Sequence, residues 1–600
     1  MRRNLQLIIP LTTFAILTLI YLVLTAQHLF FVVQSQDYFV YDWTHVARLS
    51  EQPGWVVPYV GSFLTQFAYH PLLGISLFTL LLTLLSWFTK WALRLPHHLS
   101  SLAIVPSVLV VAFVVGWDYG LFATRHYGNL FSPIVGLMVS VGIASVALRL
   151  PQLWMRYVWA AIVVICLYPW LGFYALLGIL TATIADAWHQ KLYALSVVAA
   201  VAIVPYVESR MFFVEFNSRY AWQAALPFMD YYKTPETWMP LYIAFVFVAL
   251  IPLLSDLFAK VSERILLVAS ALVAAAAIAW VPLHRTTDSN FNTLLAVEHA
   301  YVVGEDHRVL DLCAAQEHPI RSLIMYRNIE LWKRGELLDK MFQYSWVSDT
   351  IQSRNLRHNT YITGARVFQK YTFWNFSYRW AMERTVMYNP SYSDMQIMAS
   401  DITYNQEHDL ADKYLSQLEN TLYYKDWAHS RRLMLEGDRL NTDSVTILHR
   451  QIVLVPHGAI DNTEYCEYML LKYFTNLYAL SPKRAELCLA ASMILVKEDE
   501  FWQVCLAEVK ADPTITLPRH VQEAALLFAL KKQNPALLAQ IKLMVGPQGS
   551  VCQQFERNQD LINRLLTHPL EGDAATLATL CPGTYWNYYF NDARHGTIFD

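Results

Sequence analysis

Long apolar runs fill the first half of the chain and stop near residue 282. A helix needs ~20 mostly apolar residues to cross the hydrocarbon core of a bilayer. Runs near that length lie at roughly 5–33, 71–89, 99–116, 130–148, 191–207, 238–257 and 265–282. The run 153–187 is too long for one span, and Tyr168-Pro169-Trp170-Leu171-Gly172 in its middle reads as a turn. Two short helices fit it better than one kinked helix, which makes nine spans the expected number.

The polar positions between the runs orient them. Arg2 and Arg3 precede a first run longer than the ~7–15 residues of a signal-peptide core, so it reads as a retained signal anchor with a cytoplasmic N-terminus. Lys90, Arg94, Arg149, Arg156, Lys191, Lys260 and Arg264 then fall on the cytoplasmic side, as the positive-inside rule expects. Arg210, Arg219 and Lys233 fall on the other side. Nine spans carry the tail to the periplasm, whereas eight would leave it in the cytoplasm.

Three outer loops result, at 34–70, 117–129 and 208–237, and all interleave aromatic with charged residues. Interfacial belts of Trp and Tyr account for the rings alone. Charges such as Glu208, Glu215 and Asp230 must be solvated or paired at a membrane surface. The first loop is too long for a tight turn and too aromatic for a solvated linker. It carries Asp37 and Asp42 just where the first apolar run ends.

From about Asn290 the pattern changes to short amphipathic helical runs, among them Leu294–Tyr301, Leu323–Trp332, Gly364–Tyr371, Trp380–Met387, Ile397–Tyr404 and Leu410–Leu422. Strand-like alternation is scarce. The expected fold is therefore all-α, with a multi-pass transmembrane domain over 1–285 and a soluble α-helical domain over 286–600. Tyr378 and Ala411 stand 33 positions apart in successive second helices, close to the ~34-residue tetratricopeptide period, and Asn389-Pro390 ends one of them. A helix-pair solenoid of that kind offers a concave surface to a protein partner; a plain helical domain is the alternative. The terminal cluster Tyr585-Trp586-Asn587-Tyr588-Tyr589-Phe590 would suit docking onto the domain or the membrane surface.

Composition and motifs remove several functions. A formal net charge of −3 with no basic field over either half argues against a nucleic-acid partner. Seven cysteines without a C-x-x-C pair argue against a zinc or thioredoxin-like site. No P-loop, G-x-G-x-x-G, H-E-x-x-H or G-x-S-x-G is present, so NTPase, dinucleotide, zinc-protease and hydrolase chemistry lack local support. Few ionisable groups within the spans and no visible inverted repeat make a solute or lipid carrier a weak third choice.

A first span, a long outer loop opening on Gln36-Asp37-Tyr38-Phe39-Val40-Tyr41-Asp42-Trp43, many further spans and a helical tail together resemble the GT-C superfamily. These are integral-membrane glycosyltransferases that use polyprenyl-phosphate or polyprenyl-diphosphate sugars. The resemblance is architectural and covers about the first half of the membrane region. It implies transfer of a sugar from a lipid-linked donor to a periplasmic acceptor at a bacterial inner membrane. By position it makes Asp37 and Asp42 the general base or metal ligands, with a divalent metal ion as the cofactor to look for. Transfer needs a carboxylate within reach of the acceptor proton and a cation or metal at the leaving phosphate. Arg125 and His126 in the second loop and Arg210 and Arg219 in the third are the candidate phosphate contacts, arginine because its planar fork can bind bidentately.

Gly116-Trp117-Asp118-Tyr119-Gly120 is similar to the W-W-D-Y-G motif of oligosaccharyltransferases, although Gly116 replaces the first Trp and the family's motif lies in a soluble domain. It keeps Asp118 among the candidate substrate contacts. The whole chain also looks like an uncharacterised family of bacterial multi-pass proteins with helical-repeat tails. The competing function is a non-catalytic scaffold whose tail binds a protein partner in a cell-envelope assembly. In that case Asp42 would merely pair with His45 or Arg48 along a helix. A periplasm-dependent reporter fused after Asp600 is expected to be active if there are nine spans; activity only in a cytoplasm-dependent reporter would contradict that count.

Overall fold

The structure, a computed structural model, describes residues 2–123, 127–186, 190–226, 235–258, 261–346, 356–436 and 481–593, with Val445, Glu467, Leu470 and Leu471. Every regular element among the described residues is helical. The chain forms two compact units. The first is Met1–Thr287 with Thr385–Ser393 and Ser416–His429; the second is Asp288–Arg384, Asp394–Leu415 and Ser430–Asp600.

Among the described residues of the first unit, seven helices are long and apolar enough to cross a membrane: Pro71–Ala92, His97–Val115, Ser132–Arg149, Leu153–Leu171, Lys191–Met211, Thr237–Leu254 and Glu263–His284. His97–Val115 is almost wholly buried. Lys191–Met211 and Glu263–His284 instead turn large apolar side chains such as Leu192, Ile203, Ile265 and Leu272 outward. A continuous outward apolar face is what lipid requires and what water would penalise.

The first apolar run differs from the single span read over 5–33. Ile9–Thr25 and Gln27–Gln36 meet at 77°, and only if this bent pair counts as one span does the number reach eight. No proline or glycine marks the bend at Ala26. The second arm turns because Leu29 to Gln36 are all buried inside the unit, a tertiary cause with no local signal. The run 153–187 does break at Gly172, whose φ of +56° suits glycine and where a Cβ would lie 2.4 Å from the Ala224 carbonyl oxygen. Its second part, Phe173–Asp186, has 14 residues and falls short of the ~20 that span a bilayer.

The second unit is held by charges paired between its helices. Glu298 of helix Ser289–Val303 accepts from Tyr326 Oη and from Arg366 Nε, the latter at 3.0 Å. Glu330 accepts from Tyr301 Oη at 3.0 Å and Lys333 Nζ at 2.9 Å. Asp306 joins Lys333 at 3.0 Å to Lys370 at 2.7 Å. The terminal aromatic cluster is buried within this unit: Trp586 Nε1 donates to the Glu523 carbonyl and Tyr588 Oη to the Ile494 carbonyl, both at 2.8 Å.

Removing one partner of a buried pair strands the other, at a cost of ~3–5 kcal/mol. Glu298→Ala is therefore expected to lower the thermal midpoint clearly. Glu305→Ala, which breaks the exposed pair with Arg308, should leave the midpoint nearly unchanged. Equal effects of the two substitutions would contradict this account.

Candidate functional site

Asp37 follows helix Gln27–Gln36 in extended conformation, and its carboxylate is buried. Oδ1 accepts from the Tyr38 amide at 2.7 Å and from Ser62 Oγ at 2.6 Å, and Oδ2 accepts from the Gly128 amide at 2.9 Å. Gly128 has φ +69°, and a Cβ there would meet Ser62 N at 2.4 Å and Pro58 O at 2.5 Å. Only glycine lets this backbone come close enough to donate. Burial pushes the Asp37 carboxyl up to about 6, against the opposing effect of the Ser62, Tyr38 and Gly128 donors.

The same stretch binds a distant part of the chain. The Tyr392 amide donates to the Asp37 carbonyl at 2.9 Å. Tyr392 Oη donates to the Phe39 carbonyl at 2.7 Å and accepts from the Phe39 amide at 3.0 Å. Farther along, Tyr41 N donates to the Asn420 carbonyl at 2.9 Å, Tyr424 Oη to Gln34 Oε1 at 2.9 Å, and Tyr69 stacks on Tyr423 at 4.9 Å.

Asp42 does something else. It is exposed and caps helix Trp43–Leu49, accepting from the Thr44 amide at 3.4 Å and from Thr44 Oγ1, bonds that hold its carboxyl below the ordinary range. Arg48, in the last turn of that helix, donates to Tyr127 Oη at 3.0 Å. His45 is buried among the rings of Tyr38, Phe39, Tyr59 and Tyr127, with centroids 5.6–6.4 Å away, and neither ring nitrogen has a partner among the described residues. Burial first, then the charge of Arg48, pushes it down to about 4.

Around this clasp lies a cavity of about 410 Å³. Arg48, Glu51, Gln52, Trp55 and Pro58 line it from the first loop, and Tyr127, Asn129 and Ser132 from the second loop and the helix after it. Phe216, Ala225 and Leu226 come from the third loop, and Thr385, Asn389 and Pro390 from the segment that Tyr392 ties down. All three charged aromatic loops thus meet at one volume, within the ~300–1,000 Å³ common for small-molecule sites.

A family model matches residues 3–592, nearly the whole chain. The chain belongs to the DUF6057 family, a family of unknown function. No curated protein and no solved structure matches it.

Of the candidate site residues that the structure describes, Asp37, Asp42, Asp118, Arg210 and Arg219, none lines the cavity of this DUF6057 chain. Asp37 lies behind its walls and Asp42 caps the helix that brings Arg48 to it. Asp118 is partly buried and accepts from the Gly120 amide at 2.9 Å, so it shapes its own turn. Arg210 is exposed and lies over the Tyr206 ring at 5.6 Å, and Arg219 is exposed beyond it. Arg125 and His126 lie outside the described residues. Among the described residues no three His, Cys, Asp or Glu side chains are grouped to hold a metal ion, and the two aspartates are engaged with protein donors, so these residues do not fit a divalent metal. The polar lining residues beyond those candidates include Glu51, Gln52, Tyr127, Asn129 and Asn389, the last of which the sequence marks only as a helix end. Their signals were modest: the Gln52-Pro53-Gly54 turn and the Asn389-Pro390 break.

Asp37→Asn in this DUF6057 chain replaces one acceptor oxygen by an NH2 group and leaves one donor of the clasp unmatched, an expected loss of ~1–3 kcal/mol. The folded carboxyl titrates at about 6, above its ordinary 3.8, because burial favours the protonated form. Its stabilising contribution is full below pH 3.8 and is lost as pH rises through 6, roughly 3 kcal/mol in all. The wild-type-minus-variant difference in thermal midpoint should therefore shrink between pH 4 and 6 and level off above 7. A difference that stays flat from pH 4 upward would contradict the assignment.

Proposed function

We propose that this chain is a membrane glycosyltransferase of GT-C type, moving a sugar from a polyprenyl-phosphate-linked donor to an acceptor hydroxyl in the loop-lined cavity. The supporting observation is the cavity itself, whose described lining brings a cation, a carboxylate, amide side chains and aromatic rings together from the three loops and the segment around Asn389. Glu51 would take the proton of the acceptor hydroxyl as its oxygen bonds to the anomeric carbon. The bond from that carbon to the phosphate oxygen breaks, and the phosphate leaves with the electron pair. Arg48, held by Tyr127, would offset the charge on that phosphate. Asp37 and Asp42 then serve the reaction without touching substrate, the first by fixing the cavity walls and the second by capping the helix that carries Arg48.

On this reading the protein resides in a bacterial inner membrane and acts on a periplasmic acceptor. Its tail, a tetratricopeptide-like array, presents the acceptor or a protein partner. The alternative, a non-catalytic scaffold in an envelope assembly, is favoured by one observation: both aspartates at the expected acidic positions are engaged by protein donors.

Glu51 and Arg48 are exposed, so their substitution should spare the fold. With a labelled polyprenyl-phosphate sugar in membranes, Glu51→Gln is expected to reduce transfer by at least ~100-fold, the usual worth of a general base. Arg48→Gln should also reduce it. Transfer at the wild-type rate in both variants would exclude the enzyme.

A further inference from the structure

The lining of the cavity discriminates between ligand chemistries. Among the described residues its charged lining side chains are Arg48 and Glu51, which cancel. A diphosphate or an acidic sugar would call for several cationic donors. The other polar lining is neutral and includes the amides of Gln52, Asn129 and Asn389. A side-chain amide can donate to one hydroxyl and accept from the next, which suits a polyol better than an anion. Trp55 adds a flat apolar face with a polar edge, on which the C–H face of a sugar ring can rest.

We infer that the part of the cavity lined by Gln52, Trp55, Asn129 and Asn389 is a subsite for a neutral, hydroxyl-rich ligand, the saccharide acceptor, and that Asn389 is one of its contacts. This rests on the glycosyltransferase reading for the word acceptor, but not for the binding itself. Asn389 comes from far along the chain, and its position there is built rather than incidental. It adopts φ +76°, a left-handed conformation that Asn tolerates better than most residues. Three residues on, Tyr392 is pinned through its amide to the Asp37 carbonyl and through its hydroxyl to both backbone groups of Phe39. The clasp that sets the walls made by Pro58 and Asn129 thereby also sets the wall made by Asn389.

The test is saturation-transfer NMR on the full chain in detergent micelles, with no lipid-linked donor added. The probes are a panel of neutral di- and trisaccharides, with glucose 1-phosphate and inorganic phosphate as anionic competitors. At least one neutral saccharide is expected to bind, and neither anion to displace it. Asn389→Gly keeps the left-handed backbone while deleting the amide, and should weaken that binding by about tenfold, the worth of one hydrogen-bonding side chain. Asn389→Asp, which keeps the shape and adds a charge, should weaken it as well. The inference is overturned if only the anions bind, if no probe binds, or if a bound saccharide is indifferent to both substitutions. Saccharide binding that depends on Asn389, without transfer from any lipid-linked donor, would overturn the glycosyltransferase reading alone. Transfer that is indifferent to Asn389 would overturn this inference alone.

Discussion

A carboxylate removed from water loses several kcal/mol of hydration, which only well-placed donors can offset. Asp37 is such a group. Its donors lie on three pieces of chain: its own backbone at Tyr38, helix Val56–Thr65 at Ser62, and the second loop at Gly128. The donors offset the most of that cost, though not all of it, only when all three are in place, so the carboxyl couples them into one arrangement. Because Gly128 approaches too closely for any side chain at that position, its chemistry is tied to the same bracket.

The clasp extends to the far half of the chain through Tyr392, which uses its amide and hydroxyl to pair with the extended stretch from Asp37 to Phe39. Thr385–Ser393 belongs to the first unit through these bonds and Ser416–His429 through those of Asn420 to Tyr41 and of Tyr424 to Gln34, although most of their sequence neighbours belong to the second. The cavity is framed by the elements that the clasp holds. Its lining side chains therefore come from chain segments up to some 340 positions apart, from Arg48 to Pro390. A site framed in this way can keep its contacts in register without depending on the stiffness of any single loop.

Much of the fold was legible because span length and helical period are local properties. The break at Gly172 was announced by its own Tyr-Pro-Trp-Leu-Gly sequence, and the helical nature of the tail by its periodicity. The bend at Ala26 was not legible, because the burial of Leu29 to Gln36 causes it and no local residue does. The first outer loop stood out as the place to look, and Asp37 as an unusual residue within it. What Asp37 does there was hidden, since its partners Ser62 and Gly128 are 25 and 91 positions away. The role of Asp42 is legible locally: Asp-Trp-Thr at the head of a helix is a capping pattern. Asn389 could be read as a helix end, but nothing local tied it to Arg48.

Amide hydrogen exchange on the full chain, wild type against Asp37→Asn, tests the central claim most directly. If the Asp37 carboxylate couples the walls of the cavity, peptides covering 127–132 and 385–393 should lose protection together in the variant, while helix Ser289–Val303 stays unchanged. A loss confined to the residues next to position 37, with both distant segments as protected as before, would contradict it.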